Sequence, residues 1–289
     1  MEPVLECGIL RVKSDTGGGA AQKFYITKLG ESDLPNIMAL QEIIVRNLHC
    51  SEILEPFPED FMREHLTKRG FILGLFSGGG LVAFRNVFFP DRSDMVWNLG
   101  RDIGLPDVAL GKVANLQLVC VHPDYRGNGL ALKMNRLSLA LLRERGAYEH
   151  ICATVSPLNI WNLDILLNSG FHIRNLKPKY GGKMRYIVHQ RLSMPEIFDT
   201  HGLVELKLKE VKPQKRLLRA GYCGIRLKPK DGNGRKLTHT SAIHLNLLFA
   251  RPVRETGVYV VPRRTALKSV QKMNMLSDGN DEKSKIKGE

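Results

Sequence analysis

Between Lys23 and Leu192 the spacing of apolar residues switches repeatedly between two periods. KFYITKL alternates as a strand does, and ESDLPNIMALQEIIVRNL then repeats apolar residues at helical spacing behind a Ser32 or Asp33 cap, with Pro35 in the first turn. PFPEDFMREHLTKRG predicts a second short helix that stops at Gly70. FILGLFSGGGLVAFRNVFF predicts two apolar strands joined by a Ser-Gly-Gly-Gly turn. Residues Pro90 to Gly111 keep no period and read as a long connection.

The second half of this stretch is more regular. VANLQLVCV is almost continuously apolar, as a strand covered on both faces would be, and LALKMNRLSLALLRERG follows as a helix ended by Gly146. HICATV and NIWNLDILLNSG repeat the strand-helix unit, and FHIRNL with MRYIVHQRL brackets the turn PKYGGK. The predicted order is β-α-α-β-β-β-α-β-α-β-β, an α/β fold with a mixed central sheet and helices on both faces. Past Leu192 the pattern thins: ELKLKEV, CGIRLKP and SAIHLNLLFA read as strands and QKRLLRAGY as a short helix. The organisation expected is a flexible N-terminus over 1–22, a core domain over 23–192, a basic C-terminal extension over 193–262, and a disordered tail over 263–289.

Charge adds an asymmetry to this picture. The chain carries 43 Lys and Arg against 29 Asp and Glu. From Ser193 onward there are twenty Lys and Arg against ten Asp and Glu, so most of the excess lies beyond the core domain. Its basic residues are not interleaved with stacking aromatics, which favours a solvated surface over nucleic-acid contact. The five cysteines lack C-x-x-C spacing, so neither a metal site nor a disulfide framework is expected, and Cys120 and Cys152 read as small core residues. No apolar run reaches the ~20 residues of a membrane span, and MEPVLECGIL does not read as a signal peptide. A cytoplasmic protein without membrane attachment is expected.

The chemistry concentrates at VCVHPDYRGNGLALKM, where an apolar strand passes through a turn with two glycines into a helix. A helix start exposes N–H groups without intrahelical partners and the positive end of the peptide dipoles. Gly127 and Gly129 would let an anion approach that backbone, and Arg126 could add a charge-assisted bond. A nucleotide-binding loop of the GxxxxGK[ST] kind would need Lys and a hydroxyl after Gly129, where Leu130 and Ala131 stand. A G-x-G-x-x-G dinucleotide site would need glycine at Leu132.

The pattern that fits is R-x-x-G-x-A from Arg126 to Ala131. It resembles the pyrophosphate-binding motif of the GNAT superfamily of CoA-dependent N-acyltransferases. NIWNLDILLNSGF adds an Asn159 to Gly170-Phe171 spacing similar to the N-x(10)-G-F segment of that superfamily, and the element order is also similar. The resemblance covers roughly Lys23 to Leu192, and LGRDIGLP, VHPDYRGNGL, ATVSPLN and KYGGKMRYI resemble a branch of uncharacterised bacterial GNAT proteins. It implies a strand that splays from its parallel neighbour, with pantetheine pairing along Val119, Cys120 and Val121. It also implies pyrophosphate on the N–H groups of Gly127, Asn128, Gly129, Leu130 and Ala131, and a cofactor bond from Asn159. Acetyl-CoA is then the co-substrate, without a metal, and a primary amine the acceptor.

The catalytic groups are less plain. The superfamily's usual tyrosine acid would fall at Leu166, and the strand before the glycine turn offers Asn115 and Gln117 but no acid. Tyr180 in the last turn could reach the same cavity, although a tyrosine packed on the sheet edge is the simpler reading. His122, before Pro123, reads as structural. The acceptor and the oligomeric state stay open.

Overall fold

The computed structural model describes residues 2–13, 19–229 and 245–253. Two antiparallel strands, β1 (Val4–Val12) and β2 (Ala20–Lys28), lead into helices α1 (Leu34–Arg46) and α2 (Glu59–Thr67). A hairpin of β3 (Gly70–Ser77) and β4 (Gly80–Phe88) follows, then two single helical turns, α3 (Leu99–Asp102) and α4 (Asp107–Leu110). β5 (Val113–Val121), α5 (Leu130–Arg145), β6 (His150–Val155), α6 (Ile160–Asn168), β7 (His172–Lys179) and β8 (Lys183–Arg191) complete the domain. β9 (Val204–Lys207), α7 (Val211–Arg219), β10 (Cys223–Pro229) and β11 (Leu245–Ala250) follow it.

All eleven strands join one sheet in the order β1-β2-β3-β4-β5-β6-β8-β7-β10-β11-β9. Among the described residues only β5 and β6 pair in parallel; every other adjacent pair is antiparallel. On one face, Leu130, Met134 and Leu142 of α5 and Leu163 and Leu166 of α6 pack over Ala83, Leu116 and Ala153. On the other, Ile37, Leu40 and Ile44 of α1 and Met62 of α2 cover Ile72, Phe84, Leu118 and Cys120. The helical periodicity at α1 and α5 is thus the imprint of two separate core layers. No helix among the described residues is long and apolar enough to cross a membrane.

Apart from the helical turns α3 and α4, the element order read from the sequence over 23–192 is the observed one. Three features differ from expectation. The segment before Lys23 is not wholly flexible, because β1 occupies Val4–Val12 and β2 begins at Ala20. β1 is an edge strand with Val4 and Ile9 exposed, so it lacks the alternation that marks a half-buried strand; its ladder to β2 holds it instead. The connection after β4 contains α3, whose Asn98 cap accepts a bond from Gly100 N at 3.1 Å. At α1 neither Ser32 nor Asp33 caps by accepting from the helix; Asp33 Oδ2 accepts from Gly30 N at 2.9 Å and closes a 3-10 turn before the helix. The extension's strands continue the sheet past β7, with Gly224 opposite Ile173. The tail over 263–289 lies outside the described residues.

Candidate active site

β5 and β6 pair only from Val113 opposite His150 to Leu116 opposite Ala153. Beyond Leu116 the two strands part, although β5 runs on to Val121 and β6 to Val155. A register shift accompanies the divergence: the step from Arg85 to Val87 on β4 faces the longer step from Val119 to Leu116 on β5. β5 therefore carries one extra residue near Gln117, a bulge that bends the strand outward.

The register beyond the bulge decides which main-chain groups face the opening. His122 N donates to Val82 O at 2.9 Å, making these two a hydrogen-bonded pair. Antiparallel alternation then turns the main-chain groups of Cys120 toward Phe84 on β4, and those of Val119 and Val121 toward the gap left by β6. Arg126 Nε takes one of these, the carbonyl of Val121, at 3.3 Å. Unpaired ladder groups at the edge of a cleft are a template for an extended chain bearing amides.

The gap opens into a cavity of about 1110 Å³. Val119 and Val121 form its floor, Arg126, Gly127, Gly129, Leu130 and Ala131 one end, and residues 157–162 at the start of α6 a wall. The end of α1 and the loop after it, from Ile44 to Leu54, supply the facing apolar wall. Lys13 follows β1 and Lys209 follows β9, so both segments flanking the core domain bring a cation to the cavity.

At the glycine end the backbone is held open. Gly127 and Gly129 have φ of 93° and 69°, values that side-chain-bearing residues rarely adopt, and a Cβ at either would meet nothing within 4 Å. The space a Cβ would fill is therefore empty, and both glycines line the cavity. The N–H groups of residues 127–131 have no backbone acceptor among the described residues. Together they form a cradle that fits a pyrophosphate.

Two of the expected cofactor residues play other parts. Cys120 buries its thiol against the α1 layer, where burial pushes its pKa far up, and it lines neither cavity. The Asn128 side chain turns back to β1: it accepts from Arg11 N at 2.8 Å and donates to Arg11 O at 2.6 Å and to Tyr125 O at 3.0 Å. It fixes the turn to the sheet and leaves only its backbone N–H for an anion. Asn159 caps α6, accepting from Asn162 N at 3.2 Å, and still lines the cavity.

A second, smaller cavity of about 60 Å³ adjoins the first across Val119, Asn159 and Asn162. Tyr180 and Gln117 line it, together with Thr154, Glu55 and Arg185. Tyr180 Oη and Thr154 Oγ1 are 3.1 Å apart, and burial raises the Tyr180 pKa. Tyr180 is also the one described non-glycine residue with positive φ, at 49°, a conformation that costs energy for a bulky residue. Asn115 lines neither cavity; fully buried, it donates to Trp97 O at 2.6 Å. Leu166 is wholly enclosed in the core, so the position of the usual tyrosine does not reach the site. His122 accepts from Asp124 N at 3.4 Å within the turn, as a structural histidine would.

Residues 38–171 match the model of the Acetyltransferase (GNAT) family. That segment carries the GNAT acetyltransferase fold. The match begins inside α1 and ends just after α6, so it contains the splayed strands, the glycine turn and the Asn159 cap. Members of this family transfer acyl groups from CoA. Solved GNAT structures resemble the chain at low identity. The ribosomal-protein-S18-alanine N-acetyltransferase of Escherichia coli shares 20% identity over 59% of this chain and 95% of its own, with a TM-score of 0.43. The yncA protein of Salmonella typhimurium, solved with its cofactor acetyl-CoA, shares 17% over 61% and 98%, with a TM-score of 0.44. A GNAT-family acetyltransferase from Streptococcus pneumoniae shares 14% over 58% and 98%, with a TM-score of 0.46. No curated protein matches the sequence.

Proposed function

We propose that the protein transfers an acetyl group from acetyl-CoA to a primary amine by direct attack on the bound thioester. The observation that carries this reading is the open glycine cradle at the mouth of the β5–β6 divergence. Gly127 to Ala131 would take the pyrophosphate, with the Arg126 guanidinium beside it. Val119 and Val121 would pair with the amides of pantetheine, and Asn159, already placed by its capping bond, would hydrogen-bond the cofactor. Lys13 and Lys209 favour an anionic ligand over the same cavity, which gives the C-terminal extension a role at the cofactor site.

Bound acetyl-CoA would supply a thioester: the amine nitrogen forms a C–N bond to its carbonyl carbon, the C–S bond breaks, and the amine proton passes to solvent, from which the proton donor to the thiolate is restored. Tyr180, held protonated by burial, is the proton donor assigned to the leaving group, and it lines the smaller cavity that adjoins the larger one. The test is acetyl transfer to a panel of primary amines, read by mass spectrometry and by thiol release, alongside calorimetric titration with CoA. Transfer with CoA binding supports the reading. The burial of Leu166 and the lack of an acid on β5 favour a second reading, a CoA-binding sensor or scaffold, which predicts CoA binding without transfer to any amine.

A further inference from the structure

The smaller cavity holds a cation that no acid contacts among the described residues, Glu52 and Glu55 acting on it only from a distance. Arg185, on β8, is 2% exposed. Its Nη1 donates to the neighbouring Met184 carbonyl at 3.0 Å, and its Nη2 is buried without any partner. The guanidinium lies 5.8 Å from the centre of the Tyr180 ring, which supplies no opposite charge. The acid lining the same cavity, Glu55, is engaged by Lys183 at 2.6 Å. A buried guanidinium with no acid in contact is unfavourable unless an anion completes it. Arg85 is equally buried with unpartnered nitrogens but lines neither cavity. Arg185 alone of the two points to a ligand.

The remaining lining shows what kind of anion belongs there. About 60 Å³ is room for a few water-sized groups, which suits a carboxylate and its α-carbon better than a phosphate ester or an aromatic acid. Asn162 Oδ1, between the two cavities, is also buried and unpartnered, an acceptor placed for an amine N–H. Resting on the acetyl-transfer reading, we propose that Arg185 is the anchor for a substrate carboxylate. The acceptor is accordingly an amino acid, its carboxylate on Arg185 Nη2 and its amine near Asn162, facing the thioester end of the larger cavity.

The test compares matched acceptors with and without the carboxylate, L-alanine against ethylamine and L-serine against ethanolamine, in the full-length chain with acetyl-CoA. Wild-type protein is expected to favour the carboxylated member by about a hundred-fold in kcat/KM, chiefly through KM. Arg185→Met should abolish that preference and Arg185→Lys restore part of it, while CoA affinity stays unchanged in both. The same carboxylate could belong to the acyl group. An Arg185-dependent preference for succinyl-CoA over acetyl-CoA with ethylamine would keep the Arg185 site and overturn the amino-acid acceptor. Equal use of both members of each pair by wild type and variants would overturn the proposal. Calorimetric titration with N-acetyl-L-alanine provides a readout independent of turnover. Binding to wild type and not to Arg185→Met supports the anchor even if acetyl transfer fails; absent or equal binding to both overturns it.

Discussion

Gly129 and Gly146 stand at opposite ends of α5 in the same left-handed conformation, with φ of 69° and 66°, and a Cβ at either would meet nothing within 4 Å. Replacing each with alanine therefore imposes the same backbone strain, about 1–2 kcal/mol. For a chain of this size that lowers Tm by roughly 2–8 °C in both variants. The two differ in what the new methyl group faces. Gly146 is no part of the cavity lining, whereas Gly129 lines it, so only the methyl at Gly129 is added at the cradle. There it should displace the pyrophosphate from at least one charge-assisted N–H bond, worth about 1.5–3 kcal/mol. Calorimetry should then show CoA bound about ten- to a hundred-fold more weakly by Gly129→Ala, and at wild-type affinity by Gly146→Ala. Matched losses of Tm with unchanged CoA affinity in both variants would refute the cradle.

Other expectations follow from single contacts. Tyr180→Phe keeps the ring beside Arg185 but removes the proton, so kcat should fall about a hundred-fold while CoA affinity is retained; an unchanged kcat, read in a thiol-release assay, would remove Tyr180 from the chemistry. Leu166→Tyr forces a larger, polar side chain into a closed core and should cost about 1–3 kcal/mol in urea denaturation without raising the rate; a gain in kcat would contradict the placement of Leu166. His65 is pulled from its ordinary 6.5 down to about 4, chiefly by burial and against its bond to Asn86. Above pH 6.5 both folded and unfolded states leave it neutral; between 6.5 and 4 only the unfolded state takes the proton. Stability should thus fall on acidification by up to about 3 kcal/mol. His189, pulled to about 3 mainly by burial, acts in the same direction, so His65→Gln should flatten the pH slope of Tm in part.

The central elements were legible because each has its own apolar face. VANLQLVCV is covered on both sides, α5 and α6 end in glycines, and the hairpins carry glycine turns, so periodicity and punctuation agreed. β1 escaped because an edge strand needs no buried face, and Leu10 is its one well-buried residue. At the site, motif spacing singled out the open glycine turn and Asn159, both of which line the larger cavity, since a turn with exposed N–H groups is written in the positions of glycines. Spacing could not show that Cys120 and Asn128 face away, because that depends on the bulge in β5 and on the partner strand β1. Nor could it find Arg185, Thr154 or Lys209, which are ordinary residues in their own segments. They meet the cavities only through the pairing of β6 with β8 and through the extension that follows the core domain.

The position of bound acetyl-CoA, determined crystallographically, tests the central claim most directly. The account predicts the pyrophosphate within hydrogen-bonding distance of the N–H groups of Gly127 to Ala131, and the pantetheine amides paired with Val119 and Val121. A cofactor seated elsewhere in the 1110 Å³ cavity, with the cradle left to solvent, would contradict it.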